Sequence, residues 1–136
     1  MIWTHLGKFR DLALLLLRAV FGLYMAFGHG LGKITGGPEQ WAQLGGVIEG
    51  ILGFGFLPTF WGFMAAVAES VAALLVAVGF LARPAALLLV INMFVASMAH
   101  ITGVIDGGAE SAVLYGVVFL SLLFIGPGAY SIDEQV

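Results

Sequence analysis

The sequence predicts an all-α integral membrane protein, a four-transmembrane-helix bundle with a short amphipathic segment between helices 1 and 2. Three observations predict it. Hydrophobic residues make up 61% of the 136 residues and charged residues only 10%, where soluble domains carry about 25% charged. The mean hydropathy is +1.08. The apolar residues gather into four runs, each near the ~20 residues that cross a hydrocarbon core about 30 Å thick. So few charges cannot coat a soluble globule, and at this length the chain reads as one transmembrane domain, residues 1–136.

The first run covers about residues 11–31. Lys8 and Arg10 before it resemble the start of a signal peptide. Arg18 interrupts the run, however, and no small-x-small cleavage site follows, so it reads as a retained span. The connection from Thr35 to Pro58 is more than a loop. Trp41, Leu44, Ile48, Ile51 and Leu52 recur at helical spacing, with Glu39, Gln43 and Glu49 off that stripe. This predicts a short amphipathic helix lying on the membrane or capping the bundle. The second run covers residues 59–81 and the third 84–104. Pro84 suits a first helical turn, where its missing N–H costs nothing, so Arg83-Pro84 marks a tight turn. Gly103 to Gly108, with Asp106, turns the chain into a fourth run at 109–126, which Gly126-Pro127-Gly128 stops.

Basic residues set the expected orientation. Lys8, Arg10 and Arg83 fall on one side and Lys33 on the other, which predicts two cytoplasmic termini. Trp41 and Trp61 then mark the outer interface, Trp3 and Tyr130 the inner one. The net charge of −3 gives no footprint for nucleic acid. The absence of Cys excludes thiol chemistry and iron–sulfur ligation by this chain's own side chains. Gly28, Gly32 and Gly36, and the small residues around Glu69, form faces that allow close helix packing within the chain or in a homo-oligomer.

Ionisable groups inside such runs are expensive, roughly 2.5–3.5 kcal/mol each at mid-span, and so face protein or water. At about 100° per residue, Arg18, Gly22, Met25, His29 and Lys33 share one helix face. Counting depth along each run predicts an inner polar pair, Arg18 with Asn92. It also predicts an outer cluster of ligand-binding candidates: His29, Lys33, Glu69, His100 and Glu110. An ion pair of Glu69 with Arg18 is an alternative, although the two side chains lean in opposite directions. The histidines could donate hydrogen bonds to a quinone carbonyl. Axial ligation of a haem, or a metal held with Glu110, is weaker, because two histidines at one depth are common by chance. Lys33 reads equally as a snorkelling residue, and Glu110 as a first-turn anion favoured by the helix dipole. Asp133 and Glu134 read as tail residues with no assigned role.

These residues resemble the DoxX family. Leu-Leu-Arg-Ala-Val-Phe-Gly and Gly-His-Gly-Leu-Gly-Lys in the first run are similar to its first span. The stretch from Ala68-Glu69-Ser70 through Arg83-Pro84 is similar to its second span and turn. His100, Gly107-Gly108-Ala109-Glu110 and the ending Gly126-Pro127-Gly128-Ala129-Tyr130-Ser131-Ile132-Asp133 match its later part. Arg18, His29, Lys33, Glu69, Arg83, His100 and Glu110 are the charged and imidazole positions that the resemblance carries over. It implies a four-helix protein of the bacterial or archaeal cell (inner) membrane. It further implies a partner role in quinone-linked redox complexes, thiosulfate oxidation among them, or in redox-stress complexes. The function expected is therefore a small membrane subunit of a quinone-linked oxidoreductase, with other membrane or redox subunits as partners. A non-catalytic assembly or anchoring protein is the alternative, and a small transporter is less favoured because no broken-helix pair is visible in the sequence.

Overall fold

The computed structural model describes all residues except 1, 54, 56 and 136, and leaves aside the side chains of Ile2, Ile48 and Leu52. Two positions of the expected amphipathic stripe, Ile48 and Leu52, thus lie outside the described side chains. Every regular element is helical among the described residues. Helix α1 runs Trp3–Ile34, α2 Gly37–Leu52, α3 Pro58–Val78, α4 Ala82–Ile101 and α5 Glu110–Ile125. Helices α1, α3 and α4 are long and apolar enough to cross a membrane; α5, at 16 residues, is shorter.

The helices start and stop where local chemistry requires. Pro58 and Pro84 stand in first turns. Gly53, Gly79 and Gly126 take positive φ at the ends of α2, α3 and α5, a conformation that costs a side chain about 1–2 kcal/mol. Leu81 adopts the same left-handed conformation (φ 48°) ahead of α4 without being glycine. It is held there by Asp133, whose two oxygens accept the Leu81 and Ala82 N–H groups at 2.8 and 2.9 Å.

The core is built largely from alanine. Ala66, Ala68, Ala72 and Ala73 of α3 and Ala82, Ala85, Ala86 and Ala99 of α4 are buried, with Leu14, Met25, Leu89, Phe119 and Leu122 filling between them. Small faces let the backbones approach, and glycine allows the closest crossings. A Cβ on Gly22 would lie 2.7 Å from Ala73 O, and one on Gly30 2.1 Å from Glu69 O. These contacts fix α1 antiparallel to α3, with residue 22 opposite 73–77 and residue 30 opposite 69. Helix α5 lies against α4 and closes onto α1 through rings: Tyr115 meets Phe21 and His29 edge-on at 5.6 and 5.7 Å.

Helix α2 lies against the first turns of α3. A Cβ on Gly45 would meet Pro58 O at 1.6 Å, and one on Gly62 would meet Trp41 O at 1.6 Å. So α2 also runs antiparallel to α3, in the direction of α1. Together α1 and α2 line the length of α3, with a break at Thr35–Gly36. The expected amphipathic helix exists, but it packs along α3. Trp41, expected as an interface marker, straps the break: its indole N–H donates to Lys33 O at 2.8 Å.

Candidate functional site

Two π-turns face each other at mid-bundle, Ala26–Gly30 in α1 and Ala68–Ala72 in α3. Each inserts a residue into its helix, and single π-turns within α-helices are frequent at functional sites. The insertion in α1 rotates the chain beyond Met25. Arg18, Gly22, Met25, Ala26 and Gly30 are buried, while His29 is exposed beside Tyr115. His29 therefore leaves the face that it was expected to share with Arg18 and Lys33.

The π-turn of α3 presents Glu69, only 3% exposed. One carboxylate oxygen accepts a hydrogen bond from the Asn92 amide of α4 at 2.8 Å. The other pairs with the Lys33 ammonium at the end of α1. Glu69 stands about 16 Å along α3, and Asn92 about 15 Å along α4, the middle of each apolar helix. The charged Lys33–Glu69–Asn92 group is thus farthest from both ends of the bundle. Burial in such surroundings is tolerated when the charges are paired and their remaining lone pairs are used.

Asn92 opens on its other side into a cavity of about 310 Å³ between α2, α3 and α4. The walls are Leu44, Trp61, Met64, Leu88, Ile91 and small residues, with Asn92 as the polar wall group. An amide has two N–H groups and a carbonyl, so the Glu69 bond leaves one donor and the acceptor for a guest. The apolar pattern alone pairs Asn92 with Arg18, because it starts the first helix at Asp11, whereas α1 begins at Trp3 and Arg18 lies level with the last turn of α3.

Arg18 has other partners. It is 1% exposed and donates to four backbone carbonyls: Pro127 O at 2.8 Å, Tyr130 O at 2.6 Å, Ala77 O at 2.9 Å and Val76 O at 3.4 Å. The Val76 and Ala77 carbonyls belong to the last turn of α3, which has no further helix to accept from. Neither Glu69 nor Asn92 is its partner; the level of Arg18 lies about 11 Å along α3 from Glu69. The tail motif 126–133 is the other half of this lock. Asp133 caps α4, the Ser131 hydroxyl donates to Gly128 O at 2.7 Å, and Asp11 accepts the Ala129 N–H at 3.1 Å. Asp133, expected to have no role, thus joins the tail to the α3–α4 turn. Arg83 reaches Ile125 O at 3.5 Å.

The remaining candidates are not gathered. His29 lies at the Glu69 level, opposite residue 70. His100 occupies the last turn of α4, eight residues or about 12 Å beyond Asn92. The two histidines thus do not share a depth, contrary to expectation, and the axial-pair geometry of a haem is absent between them. His100 Nδ1 is buried with no hydrogen-bond partner among the described residues. Glu110 is exposed at the start of α5. Among the described residues no three His, Cys, Asp or Glu side chains converge as a metal site.

An Ala-rich bundle with three helices able to span a bilayer and a buried charge group at mid-length defines a class of small helical membrane protein. The chain belongs to the DoxX family, whose model matches residues 13–101. It is 33% identical to a Haemophilus influenzae protein described only as uncharacterized, over 97% of this chain and 96% of that one. No solved structure matches it.

Proposed function

We propose that this protein is a four-crossing subunit of a quinone-linked redox complex in the bacterial or archaeal cell membrane, with both termini cytoplasmic. The quinone head group enters from the bilayer into the cavity beside Asn92. The observation that carries this reading is the Lys33–Glu69–Asn92 group, buried at mid-length of apolar helices and adjoining a largely apolar cavity. Quinones are apolar molecules of the bilayer whose carbonyl oxygens need donors, and Asn92 has a free N–H to give. Reducing a quinone to a quinol takes two electrons and two protons. A partner subunit supplies the electrons, and Lys33 and Glu69 form the first proton-exchanging groups behind Asn92. In this reading His29, on the Tyr115 side, and His100 and Glu110, nearer the end of the bundle, do not touch the ring.

The test is thermal unfolding of the detergent-purified chain with a short-chain quinone. A ligand at 100 times its dissociation constant adds about 2.7 kcal/mol. Asn92→Leu should abolish the response and Lys8→Ala should leave it intact. Equal responses in wild type and Asn92→Leu would favour the assembly-protein reading, in which the ion pair only fixes the bundle.

A further inference from the structure

A second cavity, of about 530 Å³, lies at the tail end of the bundle. Arg10 and Asp11 of α1, Arg83 of α4, Asp133, Glu134 and the turn at 126–129 line it. Two of its three carboxylates are already committed. Asp133 caps α4 through both oxygens, and Asp11 holds the Ala129 N–H. The basic groups are held more weakly. Arg83 donates one long hydrogen bond, 3.5 Å, to Ile125 O among the described residues. Among the described residues Arg10, with its side chain 59% exposed, meets only its neighbour Asp11 at 3.4 Å, and an exposed pair of this kind is worth little. Glu134 has no partner among the described residues. Accepting backbone N–H groups leaves Asp11 and Asp133 charged, so two guanidinium groups and three carboxylates surround a single hollow.

We propose that this hollow is a site for the phosphodiester head group of a zwitterionic phospholipid, with Arg10 and Arg83 on the phosphate and Glu134 on the head-group ammonium. Guanidinium forks match phosphate oxygens two at a time, and two of them approached from different helices define a site. With three carboxylates against two guanidinium groups, the lining selects an ethanolamine-type head group over a purely anionic one. The position selects a lipid over a soluble phosphate. The cavity opens where α3, α4 and α5 begin or end, and Leu81 and Ile125 in its wall are 51% and 47% exposed, an apolar rim for acyl chains. The site goes beyond the quinone reading and uses none of its residues, though it rests on the same membrane orientation.

The experiment follows thermal unfolding of the full chain in detergent against dihexanoyl phosphatidylethanolamine, dihexanoyl phosphatidylglycerol and inorganic phosphate. Phosphatidylethanolamine should stabilise wild type at the lowest concentration. The half-saturating concentration should rise about tenfold in Arg83→Gln and in Arg10→Gln, the loss of one charge-assisted hydrogen bond. Arg10 is exposed, so its variant stays folded even if Arg83→Gln does not. Glu134→Gln should remove the preference for ethanolamine while leaving phosphatidylglycerol binding unchanged. Equal responses of wild type and both arginine variants would overturn the site. So would inorganic phosphate acting at the same concentration as the lipid, or an ethanolamine preference that survives Glu134→Gln. A quinone response lost in Asn92→Leu but unchanged in Arg10→Gln separates the two sites, whichever of them fails.

Discussion

At the scale of single residues, the buried charges do different work at the two levels of the bundle. Arg18 spends its donors on backbone carbonyls of α3 and of the tail. Arg18→Leu should cost about 3–5 kcal/mol, because it strips charge-assisted donors from buried carbonyls. Glu69→Gln in the same chain should restore nothing, since the two groups do not meet. Unfolding in mixed micelles measures both. Asp133→Ala should cost about 1–2 kcal/mol, as loss of a helix cap does. Glu69 behaves otherwise. Lys33→Met and Glu69→Gln should each destabilise, by about 3–5 kcal/mol for the worse of the two, and the double variant by less than their sum. A strictly additive cycle would show that the pair is not coupled.

At the scale of helices, glycine decides which faces close. Gly30→Ala places a methyl 2.1 Å from Glu69 O, backbone that cannot swing aside, whereas Gly28 has open space around it. Gly30→Ala should therefore reduce folded yield and loosen the Lys33–Glu69 pair, while Gly28→Ala stays within about 0.5 kcal/mol of wild type. Size-exclusion yield and unfolding midpoints of the two variants provide the comparison. The helix ends were legible in the sequence because Pro84 and Gly126-Pro127-Gly128 have fixed conformational preferences. The course of α2 was not. Its stripe announces a helix, but what holds it along α3 is backbone-to-backbone contact at Gly45 and Gly62, which hydrophobic periodicity does not encode. A π-turn is likewise invisible to a count at 100° per residue. One inserted residue moved His29 off the polar face and brought Gly30 onto it. Arg18 was legible as buried but not in its partners, because carbonyl acceptors belong to every residue type. Lys33 and Glu69 were both legible as site candidates; Asn92 was seen as polar and buried but assigned to the wrong partner.

At the scale of the whole molecule, the bundle has a locked end and a break partway along its length. Tail, α1 and the α3–α4 turn are tied together through Arg18, Asp11 and Asp133. Partway along α3, α1 stops at Ile34 and α2 continues beside α3 toward the other end. The break leaves Lys33 in the last turn of α1, where its ammonium meets the Glu69 carboxylate. The orientation expected from Lys8, Arg10 and Arg83 places the locked end in the cytoplasm. A reporter active only outside the membrane should then be silent when fused at the C-terminus and active when inserted near Gly107. The reverse pattern would contradict the four-span, termini-inside arrangement.

The central claim is that a bilayer-borne head group docks beside Asn92, and photolabelling tests it most directly. A quinone bearing a photoreactive azide should label Trp61, Met64 or Ile91 in the purified chain, as mapped by peptide mass spectrometry. Unlabelled quinone should compete, and Asn92→Leu should lose the label. Label that maps instead to the peptides carrying His29 and Tyr115, or that excess quinone does not displace, would contradict it.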